Sequence, residues 1–121
     1  MSSLDDEIEE VRSRISEPYF KYIDCNQGWH QIIVDCHKEL VAIDPDYILF
    51  QVKEKFGGLR YYIDSNTKDY YAMRDVIDKY ERLSLQTCEY TGEPGVLVKG
   101  KGGWRKTLSR EVMSEYGYEE A

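Results

Sequence analysis

One cysteine in this chain stands in a metal-site frame without its companions. In TCEYTGEPG, residues 87–95, Cys88 is followed three places on by Thr91, where a zinc knuckle carries its second cysteine. A structural zinc site takes four cysteine or histidine ligands, two in a knuckle and two near a helix start, with ~15 to 20 residues between the pairs. Seventeen residues separate Thr91 from Ser109, and Val112 follows three places later, so the spacing fits. The ligand chemistry does not, because one thiolate cannot hold the ion. The expectation is a metal-free frame with no cofactor, in which Thr91 and Ser109, near-isosteric with cysteine, keep a turn and a helix cap by hydrogen bonding to backbone amides.

A second set, Cys25, His30, Cys36 and His37, is poorly arranged for one ion. On a helix the two histidines lie two turns apart on nearly one azimuth, while Cys36 points about 100° away from His37. These residues read as a core cysteine and surface histidines, with no base beside either thiol to make a nucleophile. Paired carboxylates are abundant, among them Asp44 with Asp46, Asp64, and Asp75 with Asp78, and abundance makes them turn formers and solvated helix faces. No P-loop, dinucleotide fingerprint, metalloprotease or nucleophile-elbow motif occurs. The expectation is a protein that is not an enzyme.

Charge is unevenly spread. The chain has a formal net charge of −7, and Asp5, Asp6, Glu7, Glu9 and Glu10 put five acids and no base into its first ten residues. Residues 96–110 carry Lys99, Lys101, Arg105, Lys106 and Arg110 and no acid. KGKGGWRK has the composition of a phosphate-contacting loop, with Trp104 available for stacking. The reading preferred on composition is plainer: Trp104 caps a small C-terminal core and the lysines keep a hairpin soluble. The same basic stretch would suit the acidic N-terminus of a second copy in a homodimer. Eleven tyrosines, including Tyr61, Tyr70 and Tyr71, supply a side chain with an apolar body and a polar tip, suited to protein contacts.

At 121 residues, 41% hydrophobic and 32% charged, the chain makes one soluble domain, 1–121. No apolar run approaches the ~20 residues of a membrane span, so no membrane partner is expected. The N-terminus has acids where a signal peptide is basic and then apolar, and the cysteines are few and odd in number, so a cytoplasmic location is expected. Ser2 or Ser3 caps a first helix with the stripe Leu4, Ile8, Val11, Ile15, which Pro18 interrupts. Asp24 to Gly28 forms a loop that delivers Trp29 to a second helix with the stripe Trp29, Ile32, Ile33, Cys36, Leu40 and Ile43 or Val41, ended by Asp44-Pro45-Asp46. In YILFQVKEKFGGLRYYIDS, residues 47–65, Ile48, Phe50 and Val52 alternate with polar neighbours, and Gly57-Gly58 turns the chain into a second strand. A third helix sets Tyr70, Met73, Val76 or Ile77, Tyr80 and Leu83 on one side. After the Cys88 turn come a short strand at 96–98, a glycine-rich bend at 100–103, a strand from Trp104, and a last helix near Thr107 or Ser109. The fold class is therefore α+β: helices packed on a short antiparallel β-hairpin (1–87), with a metal-free treble-clef-like knuckle, hairpin and helix (88–121) appended to the same core.

VKEKFGGLRYYID, TCEYTGEPG and GGWRKTL together resemble a family of small uncharacterised proteins of bacteriophages and bacterial genomes. In that family a helix, an FGGLR hairpin and another helix precede a terminal Cys-x-x-Cys-Gly and Leu-Cys-x-x-His pair. The resemblance spans residues 28 to about 108 and departs at Thr91, Ser109 and Val112, where the family has Cys, Cys and His. It implies this fold and a phage or prophage setting. The functional expectation that follows is a non-enzymatic factor directed at a host protein, for example an inhibitor of a defence or nucleic-acid enzyme. Its candidate contacts are Asp5, Asp6, Glu7, Glu9, Glu10, Tyr61, Tyr70 and Tyr71. The alternative is a nucleic-acid-binding module using Lys99, Lys101, Trp104, Arg105 and Lys106.

Overall fold

The computed structural model describes residues 3–16 and 21–121. The expected interruption at Pro18 and the alternative cap Ser2 lie outside them. Helix α1, Leu4–Arg14, begins at Ser3, whose hydroxyl accepts from the Asp6 N–H, and it buries Ile8 and Val11. Acids fill its first turn and Arg12 and Arg14 its last, which suits the helix dipole. Next come β1, Ile23–Asp24, a 3₁₀ turn at Gln27–Trp29, and α2, His30–Ile43. The hairpin is β2, Ile48–Lys55, with β3, Gly58–Asp64, followed by α3, Tyr70–Ser84. The tail holds β4, Val96–Lys99, β5, Arg105–Leu108, α4, Arg110–Tyr116, and β6, Glu119–Glu120. The α+β class holds, with two three-stranded sheets ordered β1-β2-β3 and β5-β4-β6.

Three local outcomes differ from the sequence pattern. Asp24, expected to open the loop to Gly28, instead joins Ile23 in β1, parallel to Val52 and Lys53. In β2 the register shifts between Leu49 and Gln51, so the inward side chains are Leu49 and Val52, while Ile48 is exposed. A bulge inverts strict alternation, which no period-2 reading can anticipate. On α3 the inward position near the C-terminus belongs to Ser84, not Leu83, which is exposed. Ser84 is fully buried because its hydroxyl accepts from the Leu59 N–H at 2.9 Å and donates to the Glu81 carbonyl.

Two cores result. The larger joins α1, α2, α3 and the first sheet around Trp29, Ile33, Leu40, Leu49, Val52, Leu59, Met73 and Ile77. The smaller gathers Cys88, Val98, Leu108 and Val112. They are tied by polar contacts: Gly28 N donates to Glu89 O at 2.7 Å, Trp29 Nε1 to Thr87 O at 2.9 Å, and Thr107 Oγ1 to Gly57 O at 2.7 Å. A side chain at Gly28 would overlap the backbone of Cys88 and Glu89, so only glycine permits this approach.

Candidate functional site

The hairpin turn sets the geometry of the site. Lys55 pairs with Gly58, leaving Phe56 and Gly57 as a two-residue loop, with φ of 54° and 88°. Two positive φ values mark a type I′ turn, whose first position favours Asn, Asp or Gly. Gly57-Gly58 was the expected turn, yet Gly58 is already in β3, and the left-handed position falls on a phenylalanine. Phe56 is the one non-glycine residue at positive φ among the described residues. A bulky side chain there costs on the order of 1 kcal/mol or more. Burial returns little of it, for Phe56 is 69% exposed.

A second glycine-rich bend comes up beside the first. Gly102 and Gly103 both take φ of 83°, and Gly103 N donates to Gly100 O. Trp104 follows the bend and precedes β5. Its ring is 75% exposed, so it does not cap the C-terminal core as composition suggested. Glu54, Lys55, Phe56, Gly102, Gly103, Trp104 and Arg105 together line an open groove of about 370 Å³. Lys55 Nζ stands 5.6 Å from the centre of the Phe56 ring, in cation–π range. The Glu54 carboxylate accepts from Gly57 N at 2.8 Å and faces Lys106 at 3.9 Å, so it is engaged within the fold.

The basic segment does not act as a block. Lys106 turns inward to Glu89, which is 1% exposed, and donates to its Oε1 at 3.0 Å. Asn26 completes the shell of that carboxylate with its backbone N–H and Nδ2, each 3.0 Å from Oε2. Burial alone lowers the Lys106 pKa, but the hydrogen bond and the charges of Glu89 and Glu54 bring it above the ordinary lysine value. Lys106 therefore leaves the list of surface cations and becomes a tie between the cores. Lys101 stands across the bend beside Tyr116 and Tyr118, Lys99 lies opposite Arg105 and Glu119, and Arg110 pairs with Glu120.

The other candidates sit on separate elements. Asp5, Asp6, Glu9 and Glu10 are exposed on α1, Glu9 pairs with Arg12, and Glu7 pairs with Lys38 of α2. Tyr71 is exposed and Tyr70 packs partly against the core. Tyr61 has no place in a contact surface: it is 1% exposed and its hydroxyl lies 2.6 Å from that of Tyr47. Tyr47 in turn meets His37 Nδ1 at 2.7 Å, so His37, expected on the surface, is a core residue. Burial, then the nearby Arg14 charge, lowers the His37 pKa.

At the knuckle, Cys88 is fully buried. Burial raises its pKa, but hydrogen bonds from the Thr91 hydroxyl and from the backbone N–H groups of Ser109, Thr91 and Tyr90 outweigh it, and the net shift is downward. Ser109 Oγ also accepts from Val112 N at the start of α4, and Thr91 Oγ1 from Glu93 N. Knuckle, hairpin and helix thus converge on one sulfur. Among the described residues no three His, Cys, Asp or Glu side chains are grouped to hold a metal ion. Elsewhere burial pushes the Cys25 thiol up to about 12, and Cys36 lies in the large core. Asp44 accepts from Asp46 N and Ser65 Oγ, which is turn chemistry.

Compared with protein-family models, curated proteins and solved structures, the chain matches none of them. No helix among the described residues is long and apolar enough to cross a membrane.

Proposed function

We propose that this protein acts by binding a partner protein, without catalysing a reaction, and that the groove between Phe56 and Trp104 is its docking site. The supporting observation is Phe56 itself: a large aromatic ring at a left-handed turn position, mostly exposed, beside a second exposed ring. Strain without packing gain is a feature of functional sites. Aromatic rings with an arginine are the usual anchors of protein contacts, and Arg105 lines the same groove. In the phage or prophage setting implied by the resemblance, the partner is a host protein met in the cytoplasm, for instance a defence or nucleic-acid enzyme that the contact inhibits.

The test is retention of host-cell proteins on the immobilised wild-type chain and on the double variant F56N/W104A, each with and without nuclease. A protein held by the first and lost by the second is the expected result. Equal retention on both would overturn the reading. Retention that nuclease abolishes would favour the nucleic-acid alternative, for which Trp104 with Lys55 and Arg105 has a suitable composition.

A further inference from the structure

From the charge around the groove we infer that its occupant is an acidic protein segment carrying a large apolar side chain. This inference rests on the docking site proposed above and specifies what enters it. Acids outnumber bases in the chain by 23 to 16. Even so, Lys55 and Arg105, both exposed on the groove, pair with no carboxylate among the described residues. The carboxylate that does line the groove, Glu54, is occupied by Gly57 N–H and Lys106. The rim therefore offers two cations that no carboxylate among the described residues pairs with, against the single groove carboxylate Glu54, and the walls carry two aromatic rings.

The volume of about 370 Å³ accommodates one or two bulky side chains. An anion seated there gains from both cations at short range, where screening is weak. A long polyanion gains less. Beyond about one Debye length it would run against the surface of a molecule with net charge −7. A short acidic stretch anchored by an aromatic or branched residue suits both the local cations and the global charge. The acidic helix α1 of a second copy matches the charge alone, since its apolar residues Ile8 and Val11 are buried in its own core.

The experiment selects displayed random dodecapeptides on the immobilised wild-type protein, with counter-selection on Phe56→Asn. The emission of exposed Trp104 then reports the affinity of the enriched peptides. Enriched sequences are expected to combine at least two carboxylates with an aromatic or large aliphatic residue. Their affinity should fall at least tenfold for Arg105→Glu and for Lys55→Glu, and should weaken as salt is raised. The inference is overturned by enrichment of basic or uncharged sequences, by no enrichment over the counter-selection, or by a twelve-residue oligothymidylate binding more tightly than any peptide. It is overturned equally if wild-type protein self-associates in sedimentation and Phe56→Asn is monomeric. Any of these can occur while a host protein is still lost on F56N/W104A, so failure of the acidic-segment chemistry is distinguishable from failure of the docking site.

Discussion

At the scale of single residues, Phe56 makes a separable prediction about stability. Asn accepts the left-handed conformation far better than Phe, so Phe56→Asn is expected to raise stability by about 0.5–1 kcal/mol, a few degrees in thermal midpoint. A midpoint lowered by the substitution would mean that the ring contributes packing the exposure does not suggest. His37 gives a second prediction. Its folded pKa lies below the ordinary 6.5 because burial, then Arg14, disfavours the charged ring, with Glu10 opposing weakly. The unfolded chain therefore takes the proton first as pH falls. The stabilisation is whole above pH 6.5, declines below it, and levels off once pH has passed the folded pKa. Thermal midpoints measured from pH 8 to pH 5 should fall less steeply in His37→Gln than in the wild type. Parallel profiles would show that His37 does not titrate with unfolding.

Among the elements, the knuckle and α4 form a frame that should accept what it lacks. The triple variant T91C/S109C/V112H adds three ligands to Cys88 and so completes a set of four. It is expected to bind one zinc per chain and to show a midpoint that chelator lowers. Chelator should leave the wild type unchanged. A triple variant that folds without zinc would show that the turn and the helix are not disposed as a zinc frame. Gly28→Ala tests the neighbouring approach: backbone atoms of Cys88 and Glu89 cannot move aside cheaply, so a loss of about 2–3 kcal/mol is expected in denaturant unfolding. The elements also show what the sequence made readable. The stripes of α1 and α2, the α+β class and the order of the tail followed from periodicity and turn chemistry. The two-residue strands β1 and β6 and the bulge in β2 did not, since a short strand has no period and an added residue inverts one. Within the site, Trp104 and Arg105 were legible by composition. Phe56 was not, because FGG invites assignment of both glycines to the turn. Lys106 and Tyr61 were misplaced for a related reason: their partners, Glu89 and Tyr47, are 17 and 14 residues away.

For the whole molecule, the question is how two small cores behave as one. Besides the backbone and side-chain bonds described above, one tie is the buried Glu89 carboxylate, held by Asn26 of the first core region and by Lys106 of the tail. Lys106→Met removes the cation and leaves the carboxylate inside. Allowing for the partly exposed lysine, a loss on the order of 2 kcal/mol is expected, and Glu89→Gln in the same chain should restore part of it. If both single and double variants matched the wild type, the pair would contribute nothing to joining the cores. The same tie carries the β5 end of the groove, so weakening it should also loosen the placement of Trp104 against Phe56.

The outer edge of β3 bears on how the protein behaves when concentrated. Its outward amides at Leu59 and Tyr61 are taken by Ser84 Oγ and Glu81 Oε2 of α3, at 2.9 and 3.0 Å. An edge already satisfied in this way gives a foreign strand little to pair with. Ribbon-like stacking of copies is blocked along that seam, and so is capture of an extended peptide by strand addition. At this edge of the first sheet, then, the hairpin tip presents an aromatic ring to solvent beside backbone amides that are already taken.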